Sequence, residues 1–571
     1  MWTFRVVLAA LLILLIAVPL ALRPRDAAPD AAARLVILTP HVQQIQQEYE
    51  RAFADWLVAR GHDPVDIDWR QPGGTSDILR LLLTRYQAVI NQGKFTIENG
   101  GVTLADGAIE FDIMFGGGSY DHGQLKRGKS GKSYLTVPDP AKQGATLPLT
   151  MSAPPSPQFD DARIKEWYSG RTRIGVTDLY DRSQHWFGTA LSSFGIVYNT
   201  GALRSLGVDV PDSFDDLTNP KLAGRVALAD PRMSGSITTS YDAILNSAVR
   251  FAAEDMMPTE MLEAIRSEGW KTLASDPGGP PGDADEQTRG RVRLIREVRE
   301  EGWTRAWRML REMGANARYF SASSTKPPID VSEGEAAAGL AIDFYGRSQA
   351  QAVTPRGMDP SASRVGYVDP AGSVFVDPDP VSILRGAPSP HLARLFVEFC
   401  MSHEGQALWQ YPAKGDHAPP GTLGPVENEL RRQPIRPDMY DGSAGTFQPH
   451  FVDDLDPYAI ASDVASMGWR DAIAPLLAAM AIDAHEELVH AWGSLNEARR
   501  VGDHDLQAME SLFYAMPTIE TPDGSLVLSA RNAEAILNKW KDGRARSLDM
   551  ISMTEFFRKN YREVSRIADE N

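Results

Sequence analysis

Cysteine is nearly missing from this chain. One residue, Cys400, stands among 571, so no disulfide can form within the chain. C-x-x-C pairs are absent, and so is the G-x-S-x-G turn of serine hydrolases. No motif argues for catalysis, so the expectation is a protein that is not an enzyme and carries no cofactor. Positive charge is in deficit: 58 Lys and Arg face 75 Asp and Glu, for a formal net charge of −17. Contact with phosphate backbones needs a basic face, which makes nucleic acid an unexpected partner. Long apolar runs are also lacking, with one exception. Val6 to Leu22 follows Arg5 without a charge, a length between a signal h-region and a short membrane span. Residues 1–25 are read as a signal peptide or membrane anchor, and the rest as periplasmic or otherwise extracytoplasmic. Arg23-Pro-Arg25 follows in place of a small-x-small cleavage site, which favours an anchor that stays attached.

What is present reads as a folded α/β chain. Hydrophobic residues make up 43% and charged residues 23%, a globular balance, and the length allows two or more domains. "RLVILTP" from Arg34 predicts a buried strand, and "HVQQIQQEYERAFADWLVARG" an amphipathic helix closing on Gly61. "VDIDWRQ" predicts a second strand, and "PGGTSDILRLLLTRY" a second helix with Thr75 or Ser76 as its cap. "FDIMF" from Phe111 predicts a third strand. Such alternation points to an α/β sheet with parallel pairing. Residues 129–170 are rich in Pro, Gly and Ser and read as irregular, and Asp276–Gly290 as a flexible insertion before a long helix. Cys400 falls in a helical pattern and reads as core. From about Asp456 the pattern is mostly helical, and its stripe of Trp469, Leu477, Met480 and Trp492 reads as packing surface.

Three near-motifs fail on physical grounds. Gly123 to Ser130 matches G-x-x-x-x-G-K-[ST], but that loop needs a strand before it and a helix after it, and neither is predicted. His485 and His490 stand five apart, which turns them to different faces of a helix, whereas a zinc pair needs four. Asp453, Asp454 and Asp456 lack the glycine and closing glutamate of a calcium loop.

Three small-residue turns remain, each at a strand end: Gly73-Gly74-Thr75-Ser76, Gly116-Gly117-Gly118-Ser119 and Ser234-Gly235-Ser236. Amides at a helix start attract anions, and small side chains let a ligand approach. Together they suggest the two jaws of a ligand cleft.

The stretches "DIMFGGG", "WFGTALSSFGIVYNTGAL", "PDSFDDLTNPKLAGRVALADPRMSGS", "SEGEAAAGLAIDFYGR" and "GAPSPHLARLFVEFCMSHEGQALW" occur in an order that resembles the extracellular solute-binding proteins of ABC transporters, of the ferric-iron type. The resemblance runs from about Arg34 to Tyr440. It implies a two-lobe α/β fold of the type II periplasmic-binding-protein kind. Lobe 1 would span 34–193 and 366–440, lobe 2 would span 194–365, and residues 441–571 would be a helical C-terminal extension. It also implies a monomer that delivers a ligand to an ABC permease. His41 stands where iron-binding members place a histidine, and Tyr345 matches one of their two tyrosines, with Phe344 in place of the other. Ferric iron wants anionic oxygen donors, so His41 and Tyr345 form a thin metal set. A small organic anion, such as a sugar phosphate, phosphonate or carboxylate, suits the glycine turns better. The expected ligand residues are Thr75, Ser76, Gly116, Gly117, Gly118 and Ser119 from the first lobe, and Ser234, Gly235, Ser236 and Tyr345 from the second. Lys326 and Arg347 would add charge, and Trp186 and Gly188 would line the hinge side. The alternatives are a ferric iron carrier and a membrane-anchored ligand sensor.

Overall fold

A computed structural model describes residues 33–98, 100–128, 132–279, 282–354, 363–370, 372–415, 417–419, 421–440, 457–522 and 524–570. The expected N-terminal helix over residues 1–25 and the acidic turn at Asp453, Asp454 and Asp456 lie outside these residues. Among the described residues no helix is long and apolar enough to cross a membrane.

The principal elements of the first lobe are β1 (Arg34–Leu38), α1 (Gln43–Ala59), β2 (Asp66–Arg70), α2 (Thr75–Asn91), β3 (Ile113–Phe115) and α3 (Ser119–Arg127). β1 pairs in parallel with β2, Arg34 opposite Asp66, and with β3, Ile37 opposite Ile113. Strand residues alternate between faces. Leu35 and Ile37 therefore join one core with Tyr49 and Phe53 of α1, while Leu38 joins a second with Ile78 and Leu82 of α2.

β4 (Phe187–Asn199) carries the chain out of this lobe. Twelve of its thirteen residues are buried, with only Tyr198 half-buried. The second lobe follows with β5 (Val226–Ala229), α4 (Gly235–Met256), α5 (Glu286–Asn316), β6 (Ala317–Ser321), α6 (Lys326–Glu333), β7 (Ala338–Ile342), α7 (Asp343–Ala352) and β8 (Val365–Val368). β5 pairs in parallel with β6 and β7. β9 (Val376–Leu384) then returns to the first lobe and α8 (Pro390–Met401) covers it. The spine of the whole sheet runs β6-β5-β7-β4-β9-β3-β1-β2. β4 joins the halves by changing partner: Phe187–Ser193 pair with β9, and Phe194–Tyr198 with β7.

The tail contributes α9 (Arg470–Leu477), α10 (His485–Val501) and α11 (Gly543–Asp569). It is not an appendage. Trp469, Leu476, Trp492 and Tyr561 share one core with Trp303, Trp307 and Leu310 of α5. Trp469 meets Trp303 edge-on at 5.0 Å, and Trp492 Nε1 donates to Asn316 Oδ1 at 2.9 Å.

Two expectations need correction. Residues 286–290 belong to α5, which Asp285 caps by accepting from Thr288 N; a capping aspartate outweighs the neighbouring glycines. Residues 129–170 hold a hairpin, Thr136–Pro138 with Thr146–Pro148, and a helix, Asp161–Trp167, capped by Asp160. Three-residue strands carry too little periodicity to be seen in sequence.

Because the tail completes the core of lobe 2, Trp492→Ala is expected to cost about 3–5 kcal/mol. Urea unfolding followed by tryptophan fluorescence checks this. An unchanged midpoint would mean that the tail packs independently.

Candidate functional site

A cavity of about 500 Å³ opens between the lobes, within the range of small-molecule sites. Helix starts from both lobes reach it. From lobe 1 come Gly73, Gly74 and Thr75 at the head of α2, and from lobe 2 come Ser234 and Gly235 at the head of α4 and Ser324 and Thr325 before α6. Ser234 caps α4, its Oγ accepting from Ile237 N at 3.4 Å. The cap of α2 is Gly74, not the expected Thr75 or Ser76, and Asp77 closes the box by accepting from Gly74 N at 3.1 Å. Phe194, Phe344 and Tyr345 supply the apolar wall, and the last two rings lie 4.2 Å apart.

The floor is a buried charge cluster. Arg432, only 2% exposed, pairs through Nη1 with Asp379 Oδ2 and donates from Nη2 to Ser192 Oγ at 2.6 Å. Its guanidinium lies 4.1 Å over the ring of Phe344. His41 Nε2 lies 2.8 Å from Asp379 Oδ2 and 3.1 Å from Arg432 Nη1. Burial alone would raise Asp379, but the Arg432 guanidinium and His41 hold its carboxyl down to about 2. Burial pushes the His41 imidazole below its usual range and the Tyr345 phenol up to about 12. Asp379 Oδ1, His41 Nδ1 and Arg432 Nε are buried without a hydrogen-bond partner.

The glycines of "FGGGS" work differently from the expectation. A Cβ on Gly116 would stand 2.5 Å from His41 Nε2, one on Gly117 would stand 2.7 Å from Thr75 Cγ2, and one on Gly118 would stand 2.8 Å from Asp377 Oδ2. The protein's own side chains fill that space, and only Gly117 also lines the cavity. Ser119 turns away to Asp377, which accepts from its Oγ at 2.5 Å and its N at 3.0 Å. Burial raises the Asp377 carboxyl to about 7 against those two bonds.

The structure thus gathers Thr75, Gly117, Ser234, Gly235, Tyr345 and His41 on one cavity and leaves other expected residues off it. Ser76 follows Thr75 in the first turn of α2 but does not line the cavity, and Ser236 lies in the first turn of α4. Trp186 lines a neighbouring cavity. Gly188 is packed between Ile435, Pro378 and the Leu179 carbonyl. Lys326 pairs with Asp330, and Arg347 is tied to Asp343 at 2.9 Å and Asp369 at 3.1 Å. Gly123 lies inside α3, which removes the phosphate-loop reading. The sequence reading missed Arg432, Asp379, Asp377 and Ser192. A buried "VDPDPVSIL" strand with two acids was the available signal.

A family described as bacterial extracellular solute-binding proteins matches residues 134–419, half of the chain. An uncharacterized protein of Haemophilus influenzae is 26% identical over 216 residues, which cover 38% of this chain and 44% of that relative. The periplasmic binding protein AfuA of Actinobacillus pleuropneumoniae, with fructose-6-phosphate bound, is a solved structure 17% identical (TM-score 0.40, 66% of this chain and 82% of that one). Another is iron-bound HitA of Pseudomonas aeruginosa, 13% identical (TM-score 0.42, 78% and 99%).

Removing one partner of a buried pair strands the other. Arg432→Leu is therefore expected to cost about 3–5 kcal/mol, read by denaturant unfolding at neutral pH. The pH dependence has a fixed sign. Asp379 is depressed, so its stabilisation is present above the unfolded carboxylate range and is lost as pH falls toward 2. Asp377 is raised, so its contribution is present at low pH and is lost as pH rises through about 7. Stability curves of Asp379→Asn and wild type should draw together as pH falls from about 4 toward 2. Asp377→Asn should gain on wild type between about pH 4 and 7.

Proposed function

The chain belongs to the bacterial extracellular solute-binding proteins, and from that premise we propose that its cleft receives a small phosphorylated polyol and delivers it to an ABC permease. One observation carries this reading: helix starts from both lobes converge on a single cavity whose floor holds Arg432. Amides at helix N-termini favour a compact anion. The same cavity holds carboxylate acceptors, Asp379 Oδ1 among them, and an aromatic wall. Acceptors suit hydroxyl groups and aromatic faces suit a sugar ring. A sugar phosphate uses both halves of the site, whereas a bare phosphonate or carboxylate leaves the acceptors idle.

Ferric iron fits less well. His41 already lies within bonding distance of Asp379 and Arg432, and a fixed guanidinium beside the donors opposes a trivalent cation.

Calorimetric titration and thermal shift of the purified full-length protein test the proposal, with sugar phosphates, inorganic phosphate, phosphonates, carboxylates and ferric citrate. A sugar phosphate at a hundred times its dissociation constant should add about 2.7 kcal/mol of stability. Ser234→Trp, which fills the cavity from the lobe 2 side, should abolish the effect. A response to ferric citrate alone, lost in Tyr345→Phe, would overturn the reading in favour of iron.

A further inference from the structure

We propose that the C-terminal segment is a working part of the solute site: residues 458–470 form a third strap between the lobes, and Arg470 is a positioning residue that holds the head of α4 against lobe 1. This rests on the reading of the cleft as the solute site.

The strap begins on the lobe 1 side. Tyr458 Oη donates to the Ile435 carbonyl at 2.5 Å, and Arg171 lies 4.8 Å over the Tyr458 ring. Ser462 N donates to the Val374 carbonyl at 2.9 Å, in the segment leading into β9. Gly175 of lobe 1 must be glycine-like in size, because a Cβ there would overlap the Ser462 carbonyl. Within a few residues the chain is on lobe 2: Asp463 Oδ1 accepts from Trp270 Nε1 at 3.1 Å, and Met467 N donates to Asn246 Oδ1 at 3.0 Å.

Arg470 then turns toward the cleft. Its Nη2 donates to the Gly235 carbonyl at 3.0 Å and to Thr239 Oγ1 at 3.2 Å, and Nη1 lies 3.8 Å from Asp242 Oδ2. All three partners stand on α4, and Gly235 itself lines the ligand cavity. The other side of the guanidinium faces lobe 1, 5.0 Å from the ring centroid of Tyr120 on α3, within reach of a cation–π attraction. Lobe contact is close here: a Cβ on Gly235 would be 3.7 Å from both Asp121 Oδ1 and Thr75 Oγ1. One side chain from the tail therefore grips the helix start that would hold the anion and rests on the opposite lobe. A second cavity of about 810 Å³, walled by both lobes and the strap, leaves room for this contact to open.

The arrangement biases the unliganded protein toward a closed cleft, and such a bias sets apparent affinity through the fraction of competent molecules. Interlobe distance tests it without any ligand, so its failure is separate from failure of the sugar phosphate reading. The only native cysteine is buried, so spin labels go cleanly onto Lys142→Cys in lobe 1 and Arg204→Cys in lobe 2, in the full-length protein. Arg470→Ala should shift the pulsed-dipolar distance distribution away from the wild-type peak while far-UV circular dichroism stays unchanged. Arg470→Lys, which keeps a cation near Tyr120, should fall between the two. Tyr120→Leu guards against misfolding of the arginine variant: Tyr120 is 44% exposed and touches Arg470 from lobe 1 alone, so it should reproduce the shift. Wild-type distances in both Arg470→Ala and Tyr120→Leu would overturn the proposal.

Discussion

The molecule hangs on one strand shared by two lobes. β4 is thirteen residues long, and its two halves pair with strands of different lobes within one continuous sheet. A strand buried on both faces must satisfy its backbone through neighbours on both edges. Here the change of neighbour falls between Ser193 and Phe194. The cavity between the lobes opens at that change of partner, with Ser192 and Phe194 in its wall. Placing a cleft there follows from topology: the strands on either side of the change belong to different lobes, and the gap between the lobes cannot be filled by either core.

That position explains the buried charges. β9 runs beside the first half of β4 and carries Asp377 and Asp379 into the interior, and Arg432 comes from a segment that also pairs with β4. A lone buried carboxylate costs several kcal/mol, and only a close, hydrogen-bonded partner offsets it. Asp379 has such a partner and stays ionised. Asp377 has a hydroxyl and an amide, with Arg470 acting on it only weakly and without an ion pair, and burial raises its carboxyl to about 7. Two aspartates two residues apart thus differ in charge near neutrality for reasons of placement alone. Both line the cavity, so the site offers a fixed anion–cation pair beside a group that accepts or gives a proton near pH 7.

Much of the frame was legible because it follows period-two and period-3.6 patterns. β1, α1, β2, α2 and β3 all announced themselves, and the turn at Gly73 was rightly read as starting a helix. The cleft floor was not legible. "DPVSIL" reads as a strand, but its pattern does not say that Asp377 and Asp379 are carried into the interior, and the prolines fit a central strand because Gly188 opposite it leaves space for Pro378. Arg432 lies 391 residues from His41, and no local pattern links them. The "FGGGS" glycines misled for a related reason. A run of glycines says that something approaches closely, and sequence alone does not say whether that something is a ligand or the side chains of His41, Thr75 and Asp377.

The tail changes what lobe motion can mean here. Its helices share a core with α5 and the rest of lobe 2, although the family match stops at residue 419. A core of interlocked tryptophans does not shear without loss of packing, so lobe 2 and the tail must move as one body. Relative motion then falls on the few segments that join that body to lobe 1: β4, the approach to β9, and residues 458–470. Two crossings of similar place define a hinge axis, and a third attached elsewhere restricts rotation about it. The strap is tied to Gly175 and Val374, apart from the point where β4 changes partner. Opening the cleft in this protein therefore has to break or stretch contacts that an untethered two-lobe protein does not have.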